Sequence, residues 1–143
     1  MYDTIFIASD HGGFEMKRHL LIRRPDLPWK DLGPSNMDSV DYPDFADLLC
    51  NSLKDKLENS LGVLICGSGQ GMAMRANRYN YIRAALCWSE EIAKLARSHN
   101  DANVLCLPGR YLVFPSAEKV LDVFLNTKFE GGRHQRRVEK LTL

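Results

Sequence analysis

Short, uninterrupted apolar runs alternate along this chain with longer stretches whose apolar residues recur every three or four positions. Thr4-Ile5-Phe6-Ile7-Ala8-Ser9 is rich in β-formers and predicts a buried strand ending at Asp10-His11-Gly12-Gly13. A helix carrying Phe14, Lys17, Arg18, Leu21 and Ile22 follows until Pro25 and Pro28 break it, and Trp29 to Leu32 is a weaker strand candidate. Asp38 to Pro43 reads as a loop, and Asp44 as the start of a helix whose Phe45, Leu49, Leu53 and Leu57 recur at four-residue spacing. The alternation continues with a strand over 62–66, a helix over 71–77 and a strand over 82–87. A helix then starts at Ser89, with Glu90 and Glu91 in its positive first turn. Asn103 to Leu107 is a fifth strand, Ser116 is a candidate cap for a helix carrying Ala117, Val120, Leu121 and Phe124, and Gly131-Gly132 sets off a basic tail.

Strands that are apolar throughout, each followed by a helix, predict an α/β fold with a five-stranded parallel sheet covered on both faces. Ligands in such sheets bind outside the carboxyl ends of the strands. Asp10-His11, Cys66-Gly67-Ser68 and Pro108-Gly109-Arg110 all follow strand ends and are expected on one rim. With no repeat, low-complexity segment or linker, residues 1–143 read as a single domain with a basic helix or tail from about 131.

Composition narrows the partners. Hydrophobic residues make up 45% and charged residues 26% of the chain, and a net charge of +1 offers no broad field for nucleic acid or an anionic membrane. Any bound anion is expected to be small and held locally. Cys50, Cys66, Cys87 and Cys106 are widely spaced and lack a C-x-x-C pair, which argues against a disulfide framework or structural zinc and for a reducing cytoplasm. The N-terminus has no basic n-region, and no apolar run approaches membrane-spanning length.

The stretch with most chemistry is Leu64-Ile65-Cys66-Gly67-Ser68-Gly69-Gln70-Gly71-Met72, an apolar run ending in a thiol and three alternate-position glycines. A strand opening into a helix this way can present the thiol and free backbone N–H groups to an anionic ligand. Its G-x-G-x-G spacing misses the dinucleotide pattern, and no acidic residue closes the next strand. There is no G-K-[ST], and a cysteine phosphatase would need an arginine where Met72 stands. Packing is the commoner role of a cysteine at a strand end, and a solvated tail the commoner reading of Arg133 and Arg137.

Six blocks change that balance. Ser9-Asp10-His11-Gly12-Gly13, Asp41-Tyr42-Pro43-Asp44-Phe45-Ala46, Cys66 to Met72, Ile82-Arg83-Ala84-Ala85-Leu86, His99 to Leu105 and Glu130 to Arg137 occur in this order over nearly the whole chain. Together they resemble the ribose-5-phosphate isomerase B family, which also holds galactose-6-phosphate and allose-6-phosphate isomerases. The resemblance implies a Rossmann-like three-layer α/β/α sandwich. It also implies a homodimer with active sites built from both subunits, a tetramer being a further arrangement, and no metal or organic cofactor. By position, Cys66 looks like the base moving a proton between C2 and C1, and His99 like the group that opens the sugar ring, helped by Asp10. Ser68 and the N–H groups of Gly67, Gly69, Gln70 and Gly71 would hold the enediolate. His11, Arg110, Arg133 and Arg137 would take the phosphate, with Tyr42, Asn100 and His134 lining the sugar. Ser68 stands where threonine is common, and Arg75, Arg78 and Tyr81 depart from the residues usual there; Cys66 with Met72 places the chain on the thiol branch of the family.

The chemistry that the resemblance implies needs a base, an oxyanion site and a ring-opening group. A thiol near pKa 8.5 is mostly protonated at neutral pH, and helix N–H groups with a nearby cation are expected to lower that value at Cys66. Histidine has the reference pKa to shuttle a proton near pH 7, and arginine engages phosphate bidentately. A catalytically silent sugar-phosphate sensor on the same fold is the rival reading, and the phosphate arginines alone would serve it.

Overall fold

The structure is a computed structural model and describes residues 1–142. Its first strand, β1 (Thr4–Ser9), is followed by α1 (Phe14–Arg23) and the short β2 (Trp29–Asp31), and then by α2 (Tyr42–Leu53) and β3 (Ser60–Cys66). The second half runs α3 (Gln70–Ala76), β4 (Ala84–Leu86), α4 (Glu90–Ser98), β5 (Val104–Pro108), α5 (Phe114–Asn126) and α6 (Arg133–Glu139). All pairings are parallel, in the order β2-β1-β3-β5-β4. The expected five-stranded parallel sheet is therefore present, with β5 inserted between β3 and β4.

The apolar runs go where their composition sends them. Every residue of β3 and β5 is buried, because each strand has neighbours on both sides and helices on both faces. One core packs Ile5, Ile7, Val63, Ile65 and Leu105 against Met16 and Leu20 of α1, Ala93 of α4 and Val120, Leu121 and Phe124 of α5. On the other face Phe6, Ala8, Leu64 and Cys106 meet Leu49 and Leu53 of α2 and Met72 and Ala76 of α3. The result is a three-layer α/β/α sandwich. The edge strands β2 and β4 are only partly covered, which is why the runs at 29–32 and 82–87 shorten to three residues each.

Helix starts follow proline more closely than the hydrophobic period. α2 begins at Tyr42 with Pro43 in its first turn, two residues before the expected Asp44, and α5 begins at Phe114 with Pro115 in its first turn. Proline suits that place because its fixed φ is helical and its missing N–H would be unpaired there. Ser116 thus lies inside the first turn of α5 and caps nothing. Ser89 does cap α4, its Oγ accepting from the Ile92 N–H at 3.2 Å. The basic tail is a helix, α6, anchored by buried His134 and Val138. Buried Lys17 donates to Asp31 at 2.8 Å and to the Pro34 carbonyl at 2.7 Å, tying α1 to the end of β2. No helix among the described residues is long and apolar enough to cross a membrane.

Candidate active site

The three loops expected on one rim do meet there. The Gly109 N–H donates to the Cys66 carbonyl at 2.9 Å, the Arg110 N–H to the Gly67 carbonyl at 2.9 Å, and the Asp10 N–H to the Ile65 carbonyl at 3.2 Å. The Arg110 guanidinium lies above Gly12 and Gly67: a Cβ on Gly12 would meet its Cζ at 3.3 Å and Asp10 Oδ1 at 3.3 Å. Asp10 is buried and accepts from the Gly13 N–H at 3.0 Å. His11 Nδ1 accepts from the Val40 N–H at 3.2 Å, so its ring proton sits on Nε2, where it can be donated to an anion. Gly13 has a packing reason, since a Cβ there would lie 2.2 Å from the Ile65 carbonyl oxygen.

The glycine loop divides its labour residue by residue. Gly69 begins α3 at φ 77°, left-handed backbone that favours glycine, and a Cβ would also meet Leu86 at 2.5 Å. Gly71 lies under Tyr42, whose ring a Cβ would reach at 2.5 Å, which draws Tyr42 onto this rim. Ser68 and the exposed Gln70 border a cleft completed by Leu86, Trp88, Pro108 and Tyr111.

Cys66 is 5% exposed, and burial pushes its thiol above the ordinary value. The backbone N–H groups of Met72, Gly69 and Gly71 oppose this by favouring the thiolate, while the Asp10 carboxylate adds to the rise. One expectation is corrected here. The thiol is raised, because desolvation outweighs the helix donors and the charge acting on it is negative. The loop N–H groups do act on the sulfur as expected, without reversing the effect of burial. Met72 was overlooked as a donor, and its place at the third residue of α3 was the available signal.

The remaining predicted residues are not on this rim. His99 caps the carboxyl end of α4, just before β5 begins, whereas Cys66 pairs with Pro108 where β5 ends. Four residue steps of strand separate those two ends of the sheet by about 13 Å. His134 stacks on His99 with ring centroids 4.1 Å apart, and the Glu130 N–H donates to the Ser98 carbonyl at 3.0 Å, so the start of α6 sits at this opposite end too. Arg133 and Arg137, four residues apart on α6, are both exposed, as is Asn100. Burial, the neighbouring His99 and the Arg133 cation hold His134 below its ordinary range. Among the described residues no hydrogen bond or ion pair joins this group to the Cys66 rim. Glu130, beside His134 at 3.8 Å, was overlooked; it stands four residues before that histidine.

Known proteins match the chain over nearly its full length. The family model described as Ribose/Galactose Isomerase matches residues 5–141. A curated relative from Mycoplasma genitalium, named "Probable ribose-5-phosphate isomerase B", is 46% identical over 96% of this chain and 93% of its own length. A crystal structure of a ribose 5-phosphate isomerase from Thermotoga maritima superposes with a TM-score of 0.95 at 44% identity, covering 99% of each chain. The Mycoplasma genitalium ribose-5-phosphate isomerase B with bound ribulose-5-phosphate gives a TM-score of 0.91 at 45% identity, covering 96% of this chain and 93% of that one. With its α/β/α sheet order, its thiol rim and a family match over nearly its full length, this chain belongs to the Ribose/Galactose Isomerase family.

Proposed function

We propose that this protein interconverts D-ribose 5-phosphate and D-ribulose 5-phosphate through an enediolate, with Cys66 as the base and with two sites at the interface of a cytoplasmic homodimer. The observation that carries the reading is a buried thiol at the carboxyl rim, flanked by N–H donors that favour its thiolate and by Asp10, His11 and Arg110. Relatives named for this activity support the substrate.

The reaction moves one proton from C2 to C1 and one from O2 to O1 and leaves the oxidation level of the molecule as a whole unchanged, so these residues suffice for it without a redox cofactor. The Cys66 thiolate takes the C2 proton of the open-chain aldose, and the electron pair shifts toward O1 as the enediolate forms. The Ser68 hydroxyl and the N–H groups of Gly67 and Gln70 would meet that charge. The thiol then returns its proton to C1 while the O2 hydroxyl proton passes to O1, leaving the carbonyl at C2 and a hydroxyl at C1. Arg110 and His11 would hold the phosphate from this chain. Holding the non-reacting end fixes the carbons against the sulfur, a use of remote binding to raise the rate.

Ring opening requires His99, and the opposite-end position of His99 supports a second copy as its source. In the dimer, His99 of the partner subunit would move the anomeric proton, with Asp10 assisting. Arg133, Arg137, Asn100 and His134 would complete the phosphate and sugar contacts from that side. Trp88 and Tyr111, 57% and 78% exposed beside Ser68 and Gln70, present an apolar border of the kind that a second chain covers.

The raised thiol sets a pH dependence. Only the thiolate takes the C2 proton, so kcat/KM should climb with pH through neutrality and keep climbing toward and past the ordinary thiol value of about 8.5. A pH–rate profile checks this, and a plateau well on the acid side of that value would contradict the assignment. The substrate is tested by comparing kcat/KM on ribose 5-phosphate, allose 6-phosphate and galactose 6-phosphate. Ribose 5-phosphate should be preferred; a higher value on either hexose phosphate overturns the substrate, and turnover of none overturns the function.

A further inference from the structure

We propose that His99, Glu130 and His134 form a site for a zinc-class divalent cation, distinct from the groups that carry the isomerisation proton on the Cys66 rim. One ligand atom from each of the three lies within 4.8 Å of the others. Some point therefore lies within about 2.8 Å of all three, against roughly 2.0–2.2 Å for zinc bonded to imidazole or carboxylate. The shortfall is below 1 Å per ligand, a movement open to an exposed glutamate and a half-buried histidine. Two imidazoles and a carboxylate are the donor set zinc takes in sites that keep a fourth position open.

A second observation points to a ligand independently. His134 is only 8% exposed, yet its Nε2 has no hydrogen-bond partner, and the Glu130 carboxylate stands 3.8 Å from it. Buried polar nitrogens without partners are rare in native structures. The two rings stack nearly parallel, with their planes 15° apart. Convergence on one ion needs one ring to turn about χ2, a torsion with broad freedom in histidine. The backbone supports the cluster too: the Glu130 N–H bonds to the Ser98 carbonyl, the residue before His99, so the segment bearing the carboxylate is fastened beside the imidazoles.

The consequence for turnover rests on the role given to His99 above. An ion on that imidazole occupies the lone pair needed for ring opening, so zinc would inhibit the enzyme. Zinc titrated calorimetrically into chelator-treated full-length enzyme should bind, with affinity falling by about tenfold or more in Glu130→Gln and in His134→Gln. Cys66→Ser should bind as the parent does, and cobalt(II) in place of zinc should show no thiolate charge-transfer absorption. Equal zinc affinity in Glu130→Gln and the parent, or loss of binding in Cys66→Ser, overturns the site. Glu130→Gln should also retain the parent's turnover without metal and escape inhibition by zinc. Bound zinc with undiminished turnover would leave the cation site standing and overturn the ring-opening role of His99 instead.

Discussion

Cys66→Ala is expected to lower kcat for ribose 5-phosphate isomerisation by about 10²–10⁴-fold, the usual worth of a positioned general base. Affinity for an unreactive phosphate ligand should stay within about twofold, because Arg110 and His11 hold that end without help from the sulfur. The packing loss is small: the side chain is one sulfur atom beyond Cβ, in a pocket whose backbone is fixed by the Gly109 N–H bond to the Cys66 carbonyl. Cys66→Ser should not restore turnover, since a hydroxyl in the same buried place is far harder to ionise than a thiol. The measurement is steady-state kinetics with parallel ligand titration and a check of thermal unfolding. Unchanged turnover in a folded Cys66→Ala protein would refute the base assignment, and loss of both turnover and ligand binding would point to a structural role.

The second large effect comes from the division of residues between the two ends of the sheet. Cys66→Ala and His99→Asn should each be inactive as pure proteins. Unfolded together in equal amounts and refolded, they should regain about a quarter of the parent activity. Random pairing makes half the dimers hybrids, and in each hybrid one site combines the intact Cys66 of one chain with the intact His99 of the other, while its second site carries both changes. Activity in the mixture, with hybrids separated by a charge tag, is the readout. If both residues served the same site from one chain, every hybrid site would carry a defect and no activity would return.

Much of this was legible in the sequence. The apolar runs located all five strands, and the rule that α/β ligands bind at strand carboxyl ends placed Asp10, Cys66 and Arg110 on one rim. Pattern alone reads burial on the two faces of a strand but not its rank in the sheet, so the edge strands β2 and β4 were drawn too long. The starts of α2 and α5 were placed at Asp44 and Ser116, each one residue after a proline that instead sits in the helix's first turn, where its fixed φ suits initiation. The sign at Cys66 was out of reach for a different reason. It depends on how much water the folded chain removes from the sulfur and on the nearness of Asp10, both consequences of tertiary packing. His99 and Arg137 carried a family signature, yet only the strand direction shows that a single chain cannot bring them to Cys66.

The central claim is that the Cys66 sulfur carries the proton between C2 and C1. Its most direct test is isomerisation of ribose 5-phosphate in D2O, followed by NMR through many passages of the equilibrium. The parent enzyme should place deuterium at C1 of ribulose 5-phosphate and then at C2 of ribose 5-phosphate, and Cys66→Ala should place none over the same period. Isomerisation that keeps its protium through repeated equilibration, or exchange by Cys66→Ala at the parent rate, would contradict it.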